Sequence, residues 1–191
     1  MKELNEMTLE ELWSLFPIIL KESNPLYPQW YEEEKKNLLN YLGAYDICRI
    51  HHIGSTAVEG LLAKPIIDIL LEPPADYKIA DIATTLEKEG WIVMARNEKQ
   101  QTLDLNKGYT AKGFAERVFH LHVKPLSDWD ELYFRDYLRM HHEIALEYEL
   151  LKKNLKEQYE FNRDAYTVSK THFIKKYTSK ARIEFGSRYL P

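Results

Sequence analysis

Two short apolar runs joined through a Gly-Ser turn constrain this chain more than any other feature. The first runs from Asp46 to Ile53 and ends on Gly54-Ser55. The second, Pro65 to Leu71, reads as a strand buried on both faces, and Pro73-Pro74 stops it. Within this second run sits a single carboxylate, Asp68. A charge in such a setting is costly unless it is paired, hydrogen-bonded or bound to metal. Gly54 lets a ligand approach the backbone, while Ser55 and Thr56 add hydroxyls and exposed N–H groups, a nest that suits phosphate. Two readings stay open for each feature. The turn is a phosphate nest or an ordinary turn, and Asp68 is a ligand or a structural cap.

The rest of the chain fits one domain of 191 residues with a mixed order of strands and helices. Thr8 with Glu11 forms a capping box, which predicts a helix from Leu9 to Lys21. Asn24-Pro25 and Tyr27-Pro28 act as breaks, and a second helix is expected over Gln29 to Tyr41, ended by Gly43. A short helical turn or loop is expected over Thr56 to Leu61. Ile79 to Glu89 has helical spacing closed by Gly90. Trp91 to Ala95, Gln101 to Asn106 and Arg117 to Val123 read as strands, with Lys107 to Glu116 as a polar loop. From Trp129 the pattern turns to long helix, with a break at Gln158 to Asn162 and a last helix over Arg163 to Ser179. The expected organisation is an α+β (α/β mixed) sheet core with N-terminal helices over residues 1–127. A C-terminal helical element over 128–191 packs on it.

Charge and cysteine content exclude some classes. A net charge of −4 and a pI of about 6.0 argue against a general nucleic-acid binder. They leave room for a small phosphorylated ligand in a local basic pocket. The basic residues from Leu151 onward, Lys152 and Arg163 among them, are expected to form a solvated helix face. Cys48 is the only cysteine, so neither an internal disulfide nor a cysteine zinc site can form, and it is expected in the core. No apolar run reaches the ~20 residues of a membrane span. The N-terminal stretch is acidic, without a signal-peptide core, and cytoplasm is the expected compartment.

His120 and His122 stand two apart on an expected strand, so both rings face one side. Such a pair is a recurrent metal-ligand arrangement, and a hydrogen-bonded polar core is its other reading. Asp68, His120 and His122, with His52 nearby, form a candidate metal cluster. One aspartate with histidines suits manganese, zinc or iron better than magnesium. Glu72 shares Asp68's strand face but lies ~13 Å along it, too far to share an ion. Arg135 with Arg139, and Tyr166 with Lys170, share helix faces and offer phosphate-binding groups, as do Lys64 and Arg117 flanking the expected cleft. A surface pairing of Asp136 with Arg139 competes with that role. Adjacent His141 and His142 point about 100° apart and are expected at the surface.

Nucleotidyltransferases share a hydrophobic-Gly-Gly/Ser turn followed, after a gap, by Asp-hydrophobic-Asp/Glu-hydrophobic. The stretch Ile53-Gly54-Ser55, twelve residues, then Asp68-Ile69-Leu70-Leu71 resembles it, except that Leu70 stands where the second carboxylate belongs. The segment from His52 to Leu70 is similar to the signature of the GrpB (UPF0157) family, with Glu59 where that family usually has proline. Further resemblances are Tyr27-Pro28-Gln29-Trp30, Phe119-His120-Leu121-His122-Val123, Phe134 to Arg139, and Tyr166 with Lys170, spanning about residues 25 to 180. The resemblance implies a nucleotidyltransferase-like fold and a family sometimes joined to dephospho-CoA kinase. Three functions are compatible with it. The first is a divergent metal-dependent nucleotidyltransferase acting on a nucleotide or phosphorylated small molecule. The second is an inactive ligand-binding or accessory module linked to coenzyme A metabolism. The third is a metal-dependent hydrolase using the Asp/His cluster.

Overall fold

A computed structural model describes residues 2–43 and 45–191. A five-stranded sheet is built from β1 (Arg49–Ile53), β2 (Ile67–Glu72), β3 (Ile92–Asn97), β4 (Thr102–Thr110) and β5 (Gly113–Val123). Their order in space is β1-β2-β5-β4-β3. β2 runs parallel to β5, and the other neighbouring pairs are antiparallel. The helices are α1 (Leu9–Leu15), α2 (Tyr27–Tyr41), α3 (Ile79–Glu87), α4 (Asp130–Met140), α5 (His142–Tyr159), α6 (Arg163–Ser169) and α7 (Thr171–Phe185). No helix among the described residues is long and apolar enough to cross a membrane.

Strand alternation divides the sheet into two unlike faces. Ile67, Ile69, Leu71, Leu103, Leu105, Phe119, Leu121 and Val123 face one way and pack on α2 and α3 in the main core. Asp68, Leu70 and Glu72, with His120, His122, Asp104 and Asn106, face the other way by the register of β2, β5 and β4. This second face is only partly covered. Leu70 is fully buried beneath Leu132 of α4 and Ile53 of β1. Glu72 is fully buried too, accepting from Arg49 Nη2 at 2.8 Å and from the Ser127 N–H at 3.0 Å. The sheet next to Asp68 and His120 stays open.

Several boundaries differ from expectation for local reasons. α1 stops at Leu15 instead of Lys21, because Pro17 lacks a donor N–H and drives Phe16 out of helical geometry (φ −123°, ψ 64°). The freed segment bridges in extended form, with Lys21 and Ala63 exchanging both backbone hydrogen bonds. Pro28 does not break α2 but sits in its first turn, where a missing N–H costs nothing. The expected polar loop at Lys107 to Glu116 is a tight hairpin that extends β4 and β5. Gly108 makes the bulge in it, at φ +89°, where a Cβ would strike the Arg117 and Val118 backbone. Cys48 is exposed, not buried, since Ile47 takes the inward position beside it. The last helix is two helices, α6 and α7, meeting at Lys170.

Restoring the second carboxylate would therefore place a charge in an apolar seal. Leu70→Asp is expected to lower the unfolding free energy by about 3 kcal/mol or more, read from urea melts. Unchanged stability would mean that α4 does not seal this position.

Candidate functional site

The open sheet face forms the floor of a cleft of about 680 Å³. Gly54 opens one wall with φ +71°, a conformation glycine adopts freely. Its missing side chain matters as much as its backbone, because a Cβ there would collide with Asp68 Oδ2. Ser55–Ala57 then form a single 3₁₀ turn whose leading N–H groups no side chain caps. Arg139 Nε donates to Ala57 O at 2.9 Å and pins this turn from behind.

Asp68 and His120 lie directly opposite each other on the parallel pair β2/β5, with His120 Nδ1 3.1 Å from Asp68 Oδ1. His120 Nε2 meets the Tyr109 hydroxyl at 2.8 Å, and Arg163 Nη2 donates to that hydroxyl at 2.9 Å. One proton assignment satisfies the whole chain: Arg163 to Tyr109, Tyr109 to His120 Nε2, and His120 Nδ1–H to Asp68. Burial keeps His120 neutral by pulling its pKa below 6.5, against the pull of Asp68. Burial would raise Asp68, but the His120 hydrogen bond and the positive charges of His122 and Lys64 outweigh it and hold the carboxylate ionised. His122 has the opposite balance. Burial lowers its pKa, but the 2.7 Å bond to Asp104 and the charges of Asp68 and Asp104 raise it above 6.5.

Around this carboxylate the cleft is cationic. Lys64, Lys152, Arg163 and Lys170 all line it, with Asp68 and Asp164 as the facing acids. Lys152 is 2% exposed, donates to Leu62 O, and lies 3.4 Å from Ser55 Oγ. Lys64 and Lys170 both lie over the buried Tyr166 ring, at 5.9 and 4.5 Å. Burial, with a smaller push from neighbouring cations, takes Lys64 and Lys152 down to about 7, and burial takes Lys170 to about 8. Among the described residues none of these three lysines makes an ion pair with a carboxylate, unlike Lys107 or Lys124 elsewhere.

The structure brings Gly54, Ser55, Thr56, Lys64, Asp68, His120, His122, Tyr166 and Lys170 to one cleft. It takes four other candidates elsewhere. His52 pairs with Ile69 and so faces α2, stacked on Tyr31 at 4.9 Å and bonded to Thr56 Oγ1 at 3.0 Å. Thr56 gives its proton to Ile66 O, so His52 Nε2 is the donor in that bond and has no lone pair for an ion. Arg117 lies on the surface against Glu33 and the Trp30 ring. Arg135 is buried, spanning His52 O, Tyr189 OH and Asp136. Arg139 supports the turn from outside the cleft. Lys152, Tyr148, Tyr109 and Arg163 complete the site without belonging to any motif. For Lys152 this overturns the solvated-face expectation. The usable signal was its place four residues after Tyr148 on one helix face.

A resident metal centre does not fit these donors. Both ring nitrogens of His120 are engaged, His122 Nδ1 holds Asp104, and Leu70 is sealed under α4. Among the described residues no group of three or more His, Cys, Asp or Glu side chains is placed to hold an ion. The two-carboxylate bridge of a two-metal site is thus absent from β2.

Comparison with known proteins agrees with this architecture. The family model described as GrpB protein matches residues 17–180. The chain belongs to the GrpB family. A UPF0157 protein of Pseudomonas aeruginosa is 36% identical over 160 residues, 83% of this chain and 65% of that protein. A second, from Bacillus subtilis, is 33% identical over 80% of this chain and 43% of its own length. The chain thus spans about two thirds or less of these two relatives. The crystal structure of GrpB from Enterococcus faecalis superposes with a TM-score of 0.76 at 30% identity, covering 87% of this chain and 99% of that one. The Cid1 poly(U) polymerase, solved with Mg and 3′-dATP bound, covers 84% of this chain and 51% of its own at a TM-score of 0.52 and 12% identity. The fold is nucleotidyltransferase-like.

The two histidines two apart on β5 are expected to titrate on opposite sides of 6.5 in an NMR pH titration, His120 below and His122 above. Asp104→Asn is expected to bring His122 below 6.5, since burial then acts without its main opponent. His122's pairing stabilises the fold fully below the unfolded value of about 6.5 and fades as pH rises through the folded value. An unshifted His122 in Asp104→Asn would show that this pair does not set its charge.

Proposed function

We propose that this GrpB-family protein binds a nucleotide or a phosphorylated small molecule in the cleft, with phosphate held by lysines beside the Gly-Ser turn. One observation carries the reading: Lys64, Lys152 and Lys170 converge without carboxylate partners of their own around the Gly54–Thr56 turn. Three ammonium groups lose solvation there, and an anion is the partner that offsets the loss. In this reading Ser55 and the first N–H groups of the turn receive one phosphate edge. Lys152 and Lys170 neutralise it, and Arg163 holds Tyr109 and His120 in place. The ionised Asp68 carboxylate, held in place by neutral His120, is the base available to a bound ligand.

Phosphoryl or nucleotidyl transfer is a narrower claim. The sealed Leu70 weighs toward a binding or accessory module, including one that serves a coenzyme A enzyme. A divalent ion arriving on the ligand's own phosphates needs no resident donor set, so magnesium or manganese belongs with the ligand in this proposal. Cytoplasmic residence is part of the same reading, and a single exposed cysteine accords with it.

Calorimetric titration of tripolyphosphate, ATP, CTP and phosphorylated pantetheine compounds tests the proposal. At least one is expected to bind, and Lys170→Ala is expected to weaken it about tenfold. Failure of all of them to bind the wild type would end the reading. Because a bound phosphate raises the depressed lysines, binding of ATP at about pH 8, where its terminal phosphate is already ionised, is expected to take up protons. The sign is fixed: affinity is highest below the free lysine values and falls as pH rises through about 7 to 8. Calorimetry in two buffers of different ionisation enthalpy measures it, and proton release would contradict a lysine-held phosphate.

A further inference from the structure

The N-terminal helix α1 carries an apolar side that no core covers. Four of its seven residues, Leu9, Leu12, Trp13 and Leu15, are large and apolar, yet none of the seven is buried. Helices of this composition normally gain their stability by burying that side. What fixes α1 instead is its end. Phe16 is buried, 4.8 Å from the Tyr109 ring and 5.0 Å from Phe114. This anchors the helix to the β4–β5 hairpin at the wall of the cleft. Leu9, Leu12 and Trp13 then line the cleft itself, together with the exposed Met94 from the edge strand β3. One continuous cleft therefore has a cationic floor and an apolar mouth.

We infer that the ligand is an amphipathic phosphate ester, its phosphate on the lysine floor and an apolar body against Leu12, Trp13 and Met94. The inference rests on the phosphate reading above and adds what the other end of the ligand must be. A bare polyphosphate or a sugar phosphate would leave the mouth wet. A body that covers it gains roughly 25 cal/mol for each Å² of apolar surface removed from water. The family model begins at residue 17, beyond α1. The floor thus lies in the segment that the family model matches, and in this proposal α1 is the specificity element beside it. A planar body, as in a nucleobase, and an aliphatic chain both satisfy this chemistry, and the probes separate them.

The test is calorimetric titration of wild type, Trp13→Ala and Leu12→Ala with two matched pairs: tripolyphosphate against ATP, and pyrophosphate against geranyl pyrophosphate. Both side chains are outside the core, and thermal melts verify that the variants are folded. At least one organic probe is expected to bind about tenfold or more tighter than its bare counterpart. Trp13→Ala is expected to remove most of that advantage while leaving the bare compound's affinity unchanged. The pair that shows the advantage identifies a planar or an aliphatic body. Equal affinity within both pairs, or an advantage that survives in both variants, overturns the inference and leaves the lysine floor standing. No binding by any of the four overturns the inference, and the lysine floor falls with it only if CTP and phosphorylated pantetheine also fail to bind.

Discussion

The contact between the Asp68 carboxylate and the bare backbone of Gly54 organises this molecule. Asp68 sits in the middle of a strand that is otherwise apolar, and its carboxylate fills the space a Cβ at Gly54 would occupy. That contact fixes the distance between the turn after β1 and the floor made by β2. It also aligns the other oxygen on His120 of β5, which extends the chain through Tyr109 to Arg163. A single half-buried charge thereby ties together the turn, three strands and α6. The network is satisfied throughout, which is the condition for a polar cluster at a sheet surface to specify one arrangement and not several.

The C-terminal helices divide the second sheet face into a sealed part and an open part. α4 lays Leu132 over Leu70 and sends Arg135 beneath β1 to His52 O. The strand thus lacks the second carboxylate of a two-carboxylate transferase, and positive charge surrounds the remaining one, from the lysines of the loop and of α5 and from Lys170 at the α6–α7 junction. Four cations face one ionised strand carboxylate and Asp164, the inverse of a site built to collect metal ions. A protein of net charge −4 keeps a cationic cavity in this way. The local excess is made by position, not by composition.

Much of this was legible in the residues. A continuous apolar run marked β2 and alternation marked β5, the Gly54-Ser55 spacing to Asp68 pointed to the cleft, and the two-residue separation of His120 and His122 placed both rings on one face. The same parity rule, applied to β1, separates His52 from that face once its register with Ile69 is known. Register is a tertiary property, so the sequence alone left His52 beside the cluster. Lys152 was hidden for a similar reason. A lysine amid Lys153 and Lys156 reads as solvated, and only the packing of α5 against Leu62 buries it. Arg135 and Arg139 share a face as their spacing implies, but that face meets the back of the turn. The hairpin at 107–116 was lost to a polar composition, since Gly108 and Gly113 signal a bulge and turn only when strands already flank them.

In the proposed reading, phosphate is held here by lysines around an unmatched carboxylate. The most direct measurement is a crystal structure of the protein soaked with ATP in the absence of divalent metal. Phosphate oxygens are expected within ion-pair distance of Lys64, Lys152 or Lys170, beside Ser55. Ordered ATP whose phosphates contact Arg117 or Arg139 outside the cleft, or phosphate density that appears at Asp68 and His122 only when a divalent ion is added, would contradict it.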